Sequence, residues 1–572
     1  MNFYLGNCEL TVHATEFKLK MGAKTIFVCK ANTFEFYYFL CRRYGGGMEI
    51  MMKQKTTSAW RQYEAGKDYK RRVGLYETNR RNERYYRGDQ WYGSSGLDLP
   101  KPVFNIIRRI TDYLVCTVAS GNISVFYTND DLPFAESTSL RELLREGTEI
   151  LTQHAVYRWE RDKLDSLMYR IMLDAALSGD GIIYCWWDPS IKTGQPFSGD
   201  IVTEAIDNTN LFVSDVNKAD IQSQEYIILS GRDTVASLKR EAKDNGVPAS
   251  DIAKIFPDSD VSSGSGDFSE FELEDGESEK ATYLIKFWRE NGIVMCEKST
   301  KECVIRRGST GMRLYPVAYF NWSPTKNSFH GTPPVSSMIP NQKFINRAYA
   351  LIMKHMTDTA FSKVIYDRSK IPEWSNEVGE AIAAVGGGNI ADAVSVVGVG
   401  QMQDGYLDLI KNAIDVTKET NGATETALGN VDPSNTSAIL ALQDSARLSL
   451  TQVKSAFYRC IEDLASIWAE MIFCYYPEGR LLPIKYEGEL KAKGIGFNRM
   501  KNSLIRSHID VRNIKDSSNI TTQSILDKLL EEGHIKADTY ISLLPQSLIK
   551  EREKIMDSIK HDAERINDEN GN

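Results

Sequence analysis

The residues that could do chemistry in this 572-residue chain do not fall into a catalytic pattern. Gly22-Ala23-Lys24-Thr25 lacks the glycine spacing of a phosphate loop, and the seven histidines form no HExxH motif of the kind that binds zinc. No GxSxG sequence presents a nucleophilic serine. Paired acids such as Glu142 with Glu146 are typical of helix surfaces rather than of a general acid and base. We therefore predict a protein that is not an enzyme and needs no cofactor and no metal.

The composition indicates a large folded protein with an acidic surface. Hydrophobic residues make up 42% of the chain and charged residues 26%, and 572 residues exceed what one hydrophobic core supports. The formal net charge is −8. Proteins that clamp DNA neutralise its phosphates with many Lys and Arg side chains. The charge therefore argues against clamping, whereas it suits a conduit in which DNA slides.

The cysteines and the apolar runs bear on the compartment in which the chain folds. The nine cysteines are scattered, without a CxxC pair or a Cys/His cluster at zinc spacing, so we expect reduced thiols and folding in a cytosolic compartment. The longest apolar stretch, residues 381–400, is interrupted by Asp392 and several glycines. The sequence therefore predicts no transmembrane helix.

Residues 1–47 have an unusual composition. They are rich in Phe, Tyr and Cys, and they end in RRYGGG before Met48. Purine-rich Arg and Gly codons just before a methionine are what a translated ribosome-binding site would produce. We therefore hypothesise that translation starts at Met48, Met51 or Met52. The alternative is a small accessory hairpin, and peptides from residues 15–36 in the native protein would contradict the hypothesis.

Residues 57–87 are strongly basic and rich in helix formers. A nucleic-acid patch is one interpretation. The favoured one is a solvated helix face, because an apolar and aromatic side is available for packing. That predicted packing side consists of Trp60, Tyr63, Val73, Tyr76 and Tyr85.

Three further segments have clear signatures. Residues 258–279 hold nine acids with Ser and Gly, which predicts a linker, and the alternating residues that follow, up to 322, predict a small β-rich module. Residues from Pro433 to about Tyr475 place apolar side chains at helical spacing over some forty positions. At 1.5 Å per residue such a helix reaches roughly 60 Å, a length suited to a tall assembly.

Five groups of residues, in this order along the chain, resemble the portal proteins of tailed bacteriophages, the head-to-tail connector family. They are YYRGDQW at 85–91 with PVFNII at 102–107; LSGDG at 177–181 with WDP at 187–189; FHGT at 329–332 with Gln342 and Asn346; PSNTSA at 433–438 with Gln443; and residues 526–544.

The resemblance implies an α+β, mainly helical portal fold with wing, stem, clip and crown regions, assembled as a dodecameric ring. Mapped onto this sequence, it divides the chain into a doubtful extension at 1–47, a wing at 48–232, a first stem helix candidate with the acidic linker at 233–278, a clip at 279–324, a second stem helix at 325–360, the wing return with the tunnel loop at 361–432, a long upper helix at 433–480, and the crown with C-terminal helices at 481–572.

The resemblance also implies a function and partners. The ring would form the channel at one capsid vertex through which double-stranded DNA is packaged and ejected. It would contact the major capsid protein or scaffold, and would dock the terminase large subunit first and the head-tail adaptor afterwards. We expect it in the virion, and in the host cytoplasm during assembly, without a membrane partner. The alternative is another head-tail joining or minor capsid protein.

The channel-facing candidates that follow from this mapping lie on the second stem helix. They are Lys343, Arg347 and Lys354. An intersubunit salt bridge is an equally open interpretation of the same three residues.

Overall fold

The computed structural model describes residues 57–93, 99–119, 122–129, 138–258, 279–359, 364–375, 382–386, 389–396, 405–423, 450–486, 489–496, 505–512, 526–530, 532–535 and 539–540, together with four N-terminal strands. The chain divides into two units, residues 1–56 and residues from 57 onward. In the first unit, β1 (Asn2–Leu5), β2 (Cys8–His13), β3 (Glu16–Met21) and β4 (Lys24–Cys29) pair antiparallel in chain order.

The second unit alternates between helices and strands in an α+β order. Its elements are α1 (Ser58–Arg72), α2 (Leu75–Arg87), α3 (Ile106–Ala119), β5 (Asn122–Asn129), α4 (Thr138–Arg161), α5 (Leu164–Ser178), β6 (Asp180–Lys192), β7 (Ser198–Ala205), β8 (Leu211–Val213), β9 (Tyr226–Thr234), α6 (Val235–Asp244), α7 (Ala249–Ile252), β10 (Lys280–Glu290), β11 (Ile293–Ser299), β12 (Val304–Ser309), β13 (Val317–Asn321), α8 (Pro334–Thr359), β14 (Val364–Tyr366), a 3-10 turn (Ile390–Ala393), β15 (Val394–Val396), α9 (Gly405–Thr420), α10 (Thr451–Tyr475), β16 (Leu481–Tyr486), β17 (Glu489–Gly494) and β18 (Ile505–Arg512).

The basic segment 57–87 forms two helices instead of one. The Thr57 hydroxyl caps α1 by accepting from the Trp60 amide, and the chain turns at Gly74, which adopts a φ of +69° that favours glycine. Trp60, Tyr63 and Tyr85 are buried as predicted. The prediction for Val73 is wrong, because this side chain lies at the break between the helices and is 52% exposed.

Two antiparallel sheets lie beneath the helices. The larger has the order β12-β11-β10-β9-β8, and α1 packs Trp60 and Tyr63 against its Phe212, Ile228 and Leu284. The smaller has the order β13-β6-β7. The first six residues of β6 are buried without alternation, as expected of a strand covered on both faces.

Both sheets combine strands from different regions of the predicted division into wing and clip. The predicted clip, 279–324, supplies β10, β11 and β12 to the larger sheet, but β9 of the predicted wing joins them there. Its last strand, β13, pairs instead with β6 in the smaller sheet. Within 233–278 the structure describes the end of β9 and two short helices, α6 and α7. Leu238 and Ala242 of α6 pack into a small core with residues of the larger sheet.

The main core is built on α10. Phe457, Ile461, Leu464, Trp468 and Ile472 are buried at helical spacing, so the predicted apolar stripe is present over residues 450–475. The 25 residues of α10 span roughly 37 Å. The earlier part of the predicted long helix, 433–449, lies outside the described residues.

The C-terminal part contributes strands that the sequence pattern did not predict. β16 and β17 form a hairpin against α4, and β18 pairs antiparallel with β5. Of the C-terminal segment 526–544, the structure describes a short helix at 526–530, the turn that follows it and residues 539–540. Parts of the predicted wing return and tunnel-loop region, 361–432, and the whole PSNTSA motif lie outside the described residues.

Candidate functional site

Two of the sequence motifs meet at a corner between α5 and α8. Gly179 ends α5 at a φ of +94°, and a Cβ atom there would lie 2.3 Å from the Gly331 carbonyl oxygen. A Cβ atom on Gly331 would in turn lie 2.6 Å from the Gly179 carbonyl oxygen. Both approaches are far closer than carbon and oxygen tolerate. The corner therefore requires glycine on both sides, and the LSGDG and FHGT segments form one structural unit.

Asp180 fastens this corner. Its buried carboxylate accepts hydrogen bonds from the Tyr319 hydroxyl (2.8 Å), the Gly331 amide (2.8 Å) and the Asn208 side-chain amide (2.9 Å), and it lies 2.6 Å from His330 Nδ1. Burial raises the pKa of Asp180, but the adjacent His330 and the accepted hydrogen bonds outweigh that effect, so the net pKa lies below its usual value. The segment just before α8 is thereby held to the start of β6.

Lys70 extends the corner to α1. Its buried Nζ donates to the backbone carbonyls of Asn208 (2.7 Å), Thr209 (2.9 Å) and Leu211 (2.6 Å), which uses all three of its hydrogens. Burial lowers the pKa of Lys70 to about 7, although nearby acids oppose the shift. Sequence reasoning placed Lys70 on a solvated face. Its position seven residues after the buried Tyr63 was the signal that the two share a side of α1.

A chain of buried amides joins α8 to the segment before α3. The Gln342 side-chain oxygen accepts from the amides of Ile106 (3.0 Å) and Ile107 (3.3 Å), so it caps the start of α3 from another helix. Its nitrogen donates to the Phe104 carbonyl (2.7 Å) and to Asn346 (2.9 Å).

The chain continues from Asn346 into the YYRGDQW motif. Asn346 donates to Gln90 (2.6 Å), and Gln90 donates to the Tyr85 carbonyl (3.0 Å) and to Asn105 (3.1 Å). The first and third groups of motifs are therefore in contact. The glycine corner and this series of hydrogen-bonded amides form what we call the α8 joint. Its residues are Gly179, Asp180, Gly331, Gln342, Asn346 and Gln90.

Beside the joint, α2 and α8 enclose a cleft of about 490 Å³. Five of its lining residues are cations and two, Glu77 and Asp89, are acids. We call it the basic cleft, and its cations are Arg80, Arg81, Arg84, Lys343 and Arg347. Arg84 stacks 3.4 Å over the Tyr92 ring and lies 3.9 Å from Asp89. In the described part of the chain, Arg80, Arg81 and Arg347 have no acidic partner within 4.0 Å.

The three channel-facing candidates separate into two places. Lys343 and Arg347 line the basic cleft, and Lys343 Nζ lies 5.8 Å from the Tyr85 ring. Lys354 lies two turns further along α8, outside the cleft, where its Nζ is 4.0 Å from Asp358. Their orientation toward a channel stays a prediction. Sequence reasoning missed that the arginines of α2 stand opposite Lys343 and Arg347.

Arg347 also borders an apolar groove of about 480 Å³ between α8 and α9. Phe344, Leu351, Tyr406 and Leu409 line it, and each is at least 45% exposed. The outer side of α8 therefore presents cations at the cleft and hydrophobic side chains at the groove.

A second buried ionic cluster lies where α4, β7 and the end of α10 meet. Arg158, only 1% exposed, donates to Asp162 (3.1 Å) and to the Ile201 carbonyl (2.8 Å), and Tyr476 donates to Asp200 (2.6 Å). Burial and the Arg158 guanidinium lower the pKa of His154 to about 3, so this histidine is neutral. A neutral histidine next to the buried Arg158 adds no further positive charge beside the one that Asp162 and Asp200 already compensate.

The described ranges lack two kinds of feature. No group of three His, Cys, Asp or Glu residues there could hold a metal ion. None of the helices described there is both long and apolar enough to cross a membrane.

The α+β scaffold thus fixes one long helix, α8, through the joint on the inner side of the helix. The outer side of α8 exposes cations at the basic cleft. Residues 312–533 match the family model "Phage P22-like portal protein". This match confirms the resemblance to phage portal proteins that the motifs predicted, and it supports a head-tail connector role in an oligomeric assembly of the virion.

A solved structure and a search of curated proteins complete the comparisons. The "Neck of empty GTA particle computed with C6 symmetry" aligns with a TM-score of 0.33 and 10% identity, over 76% of this chain and 89% of that one. No curated protein matched.

Proposed function

We propose that this chain is the portal subunit of a tailed phage, and that twelve copies form a ring-shaped channel at one capsid vertex. The observation that carries the proposal is the α8 joint, because it brings together motifs chosen for their likeness to portal proteins. The family match, which begins at residue 312 and includes α8 and α10, supports it independently.

The proposed ring packages and ejects double-stranded DNA. It docks the terminase large subunit during packaging and a head-tail adaptor afterwards, and the subunit itself catalyses nothing, so ATP hydrolysis belongs to the partner. Assembly takes place in the host cytoplasm. Lys343, Arg347 and Lys354 either face the channel or form salt bridges with a neighbouring subunit. A ring of twelve copies carries about −96 formal charges at −8 per copy, which favours a channel wall that repels DNA and lets it slide.

The joint gives this function a physical basis. A channel subunit must hold its stem helix against the force of a passing polymer, and a helix fixed only by apolar contacts can slip by a turn. Directional hydrogen bonds from Gln342 and Asn346 allow only one register, because a shift would leave buried amides without partners.

Negative-stain electron microscopy of the protein purified from Met48 tests the proposal. We expect ring-shaped particles with a central hole. Compact monomers or dimers at high protein concentration would contradict it.

A further inference from the structure

The basic cleft has more positive charge than the described residues around it neutralise. Its five cations face two carboxylates, and Arg80, Arg81 and Arg347 have no acidic partner among the described residues. Its remaining lining includes Tyr85, Trp91, Tyr92 and Leu99. Such a cleft suits a ligand that carries carboxylates together with apolar side chains.

Duplex DNA fits this cleft less well than a peptide does. A duplex presents its phosphates on a convex cylinder and offers no apolar side chain, so it could touch the arginines at the rim without filling the space between Trp91 and Leu99. A cleft of about 490 Å³ between two helices matches a short run of side chains. The observations therefore favour an acidic peptide.

The chain itself contains a peptide of this chemistry. Residues 258–279 include nine acids, and Phe268, Phe271 and Leu273 are interspersed among them. Asp258, at one end, is fixed to the larger sheet by Arg232 (3.2 Å) and by the Thr282 amide (2.8 Å). Lys280, at the other end, begins β10.

We propose that residues 267–279 of a second copy bind the basic cleft. This inference rests on the proposed function, because a ring needs a head-to-tail interface built from two different patches on each subunit. Copies with a net charge of −8 repel one another at long range, so their contact requires local patches of opposite sign. The 21 residues between Asp258 and Lys280, tied at both ends, span at most about 35 Å outward. That length suffices to reach a neighbour placed beside the sheet.

A labelled peptide tests the proposal. The probe is a fluorescein-tagged peptide of residues 267–279, titrated by fluorescence anisotropy into the full chain carrying Glu270→Gln, Glu272→Gln, Glu274→Gln and Asp275→Asn, which weaken competition from the resident segment. We expect saturable binding that weakens at higher salt. Adding Arg80→Gln with Arg81→Gln should weaken it about tenfold, since two or three charge contacts are lost.

Two matched controls make the result specific. Arg71→Gln with Arg72→Gln removes the same charge from the neighbouring α1, outside the cleft, and should change the affinity less than about twofold. A peptide with Phe268→Ser and Phe271→Ser keeps every charge and should bind about tenfold more weakly.

Absence of saturable binding at low salt would overturn the proposal. An equal loss of peptide affinity from the Arg80/Arg81 and Arg71/Arg72 substitutions would also overturn it. So would a result in which duplex DNA, compared with unlabelled peptide at the same concentration of negative charges, displaces the labelled peptide more effectively. Imaging the chain without any of these substitutions separates this inference from the proposed function, because the four acid substitutions themselves remove the proposed contact between copies. Rings without peptide binding overturn only the inference, whereas peptide binding without rings supports it and counts against the ring.

Discussion

The inner and outer sides of α8 differ sharply in how their polar side chains are treated. Gln342 and Asn346 on the inner side are 1% and 3% exposed, and each makes hydrogen bonds to other elements. Lys343 and Arg347, the next residues along the chain, are exposed at the basic cleft. Neighbouring polar residues of one helix therefore have different roles. The inner pair fixes the position of α8 against the residues it contacts, and the outer pair is available to bind another molecule.

The largest effect is expected at the glycine corner. Gly179→Ala would place a Cβ atom 2.3 Å from the Gly331 carbonyl oxygen at a φ of +94°, so we expect a loss of more than about 3 kcal/mol of stability and little folded protein. Thermal unfolding and soluble yield measure this.

Gly246→Ala is the matched control for that substitution. Gly246 has a φ of +75°, but a Cβ atom added there would meet no other atom within 4 Å, so only the backbone cost of about 1 kcal/mol applies. Equal losses from the two substitutions would refute the role of the close approach.

A smaller effect is expected within the amide chain. Gln342→Leu keeps the volume but leaves the Ile107 amide without its acceptor and removes the bond donated to Asn346, while the Ile106 amide and the Phe104 carbonyl keep only their bond to each other. This should cost about 2–3 kcal/mol. Lys343→Gln, one residue along, should stay within about 0.5 kcal/mol. Denaturant unfolding of both variants compares the two sides of α8 directly. Similar losses of unfolding free energy in the two variants would contradict the difference between the inner and outer sides.

The burial of the inner side could be predicted from the sequence, but its partners could not. Val335, Met338, Ile339, Gln342, Ile345 and Asn346 follow helical spacing, so the two amides stand within an apolar stripe. Their partners come from residues 85–107, more than 200 positions earlier, and no local pattern encodes that distance. The motif resemblance grouped these residues without stating that they touch.

Other elements of the fold also differ in whether a local sequence pattern predicts them. The α10 stripe follows from period alone, whereas the pairing of β18 with β5 and the separation of β13 from β10–β12 depend on contacts between distant segments. The basic cleft combines two segments that were each basic in the sequence. Only the packing of α2 against α8 brings them together.

Burial of His154 should make the stability of the protein depend on pH, a cost that a solvated side chain on the outer side of α8 does not carry. The folded pKa of His154 is lowered to about 3, below its unfolded value near 6.5, so the unfolded state binds more protons between these values. Stability is therefore complete above about pH 6.5 and falls by about 1.4 kcal/mol per unit as the pH decreases. His154→Gln should flatten this slope in thermal unfolding between about pH 6.5 and 5. An unchanged slope in His154→Gln would show that this histidine does not titrate as described.

The smallest effect is expected on the outer side. A channel that repels DNA depends weakly on any one cation, so Lys343→Ala should reduce DNA packaging less than about tenfold. An in vitro packaging assay measures this, and a tenfold loss from this single change would contradict the low-adhesion account.

Native mass spectrometry of the purified protein tests the central claim most directly. If α8 is fixed within a portal subunit, the dominant species should have twelve times the mass of one chain, and Gln342→Leu should shift the population toward free subunits while Lys343→Gln leaves it intact. A monomer or dimer as the dominant species at every protein concentration would contradict the account.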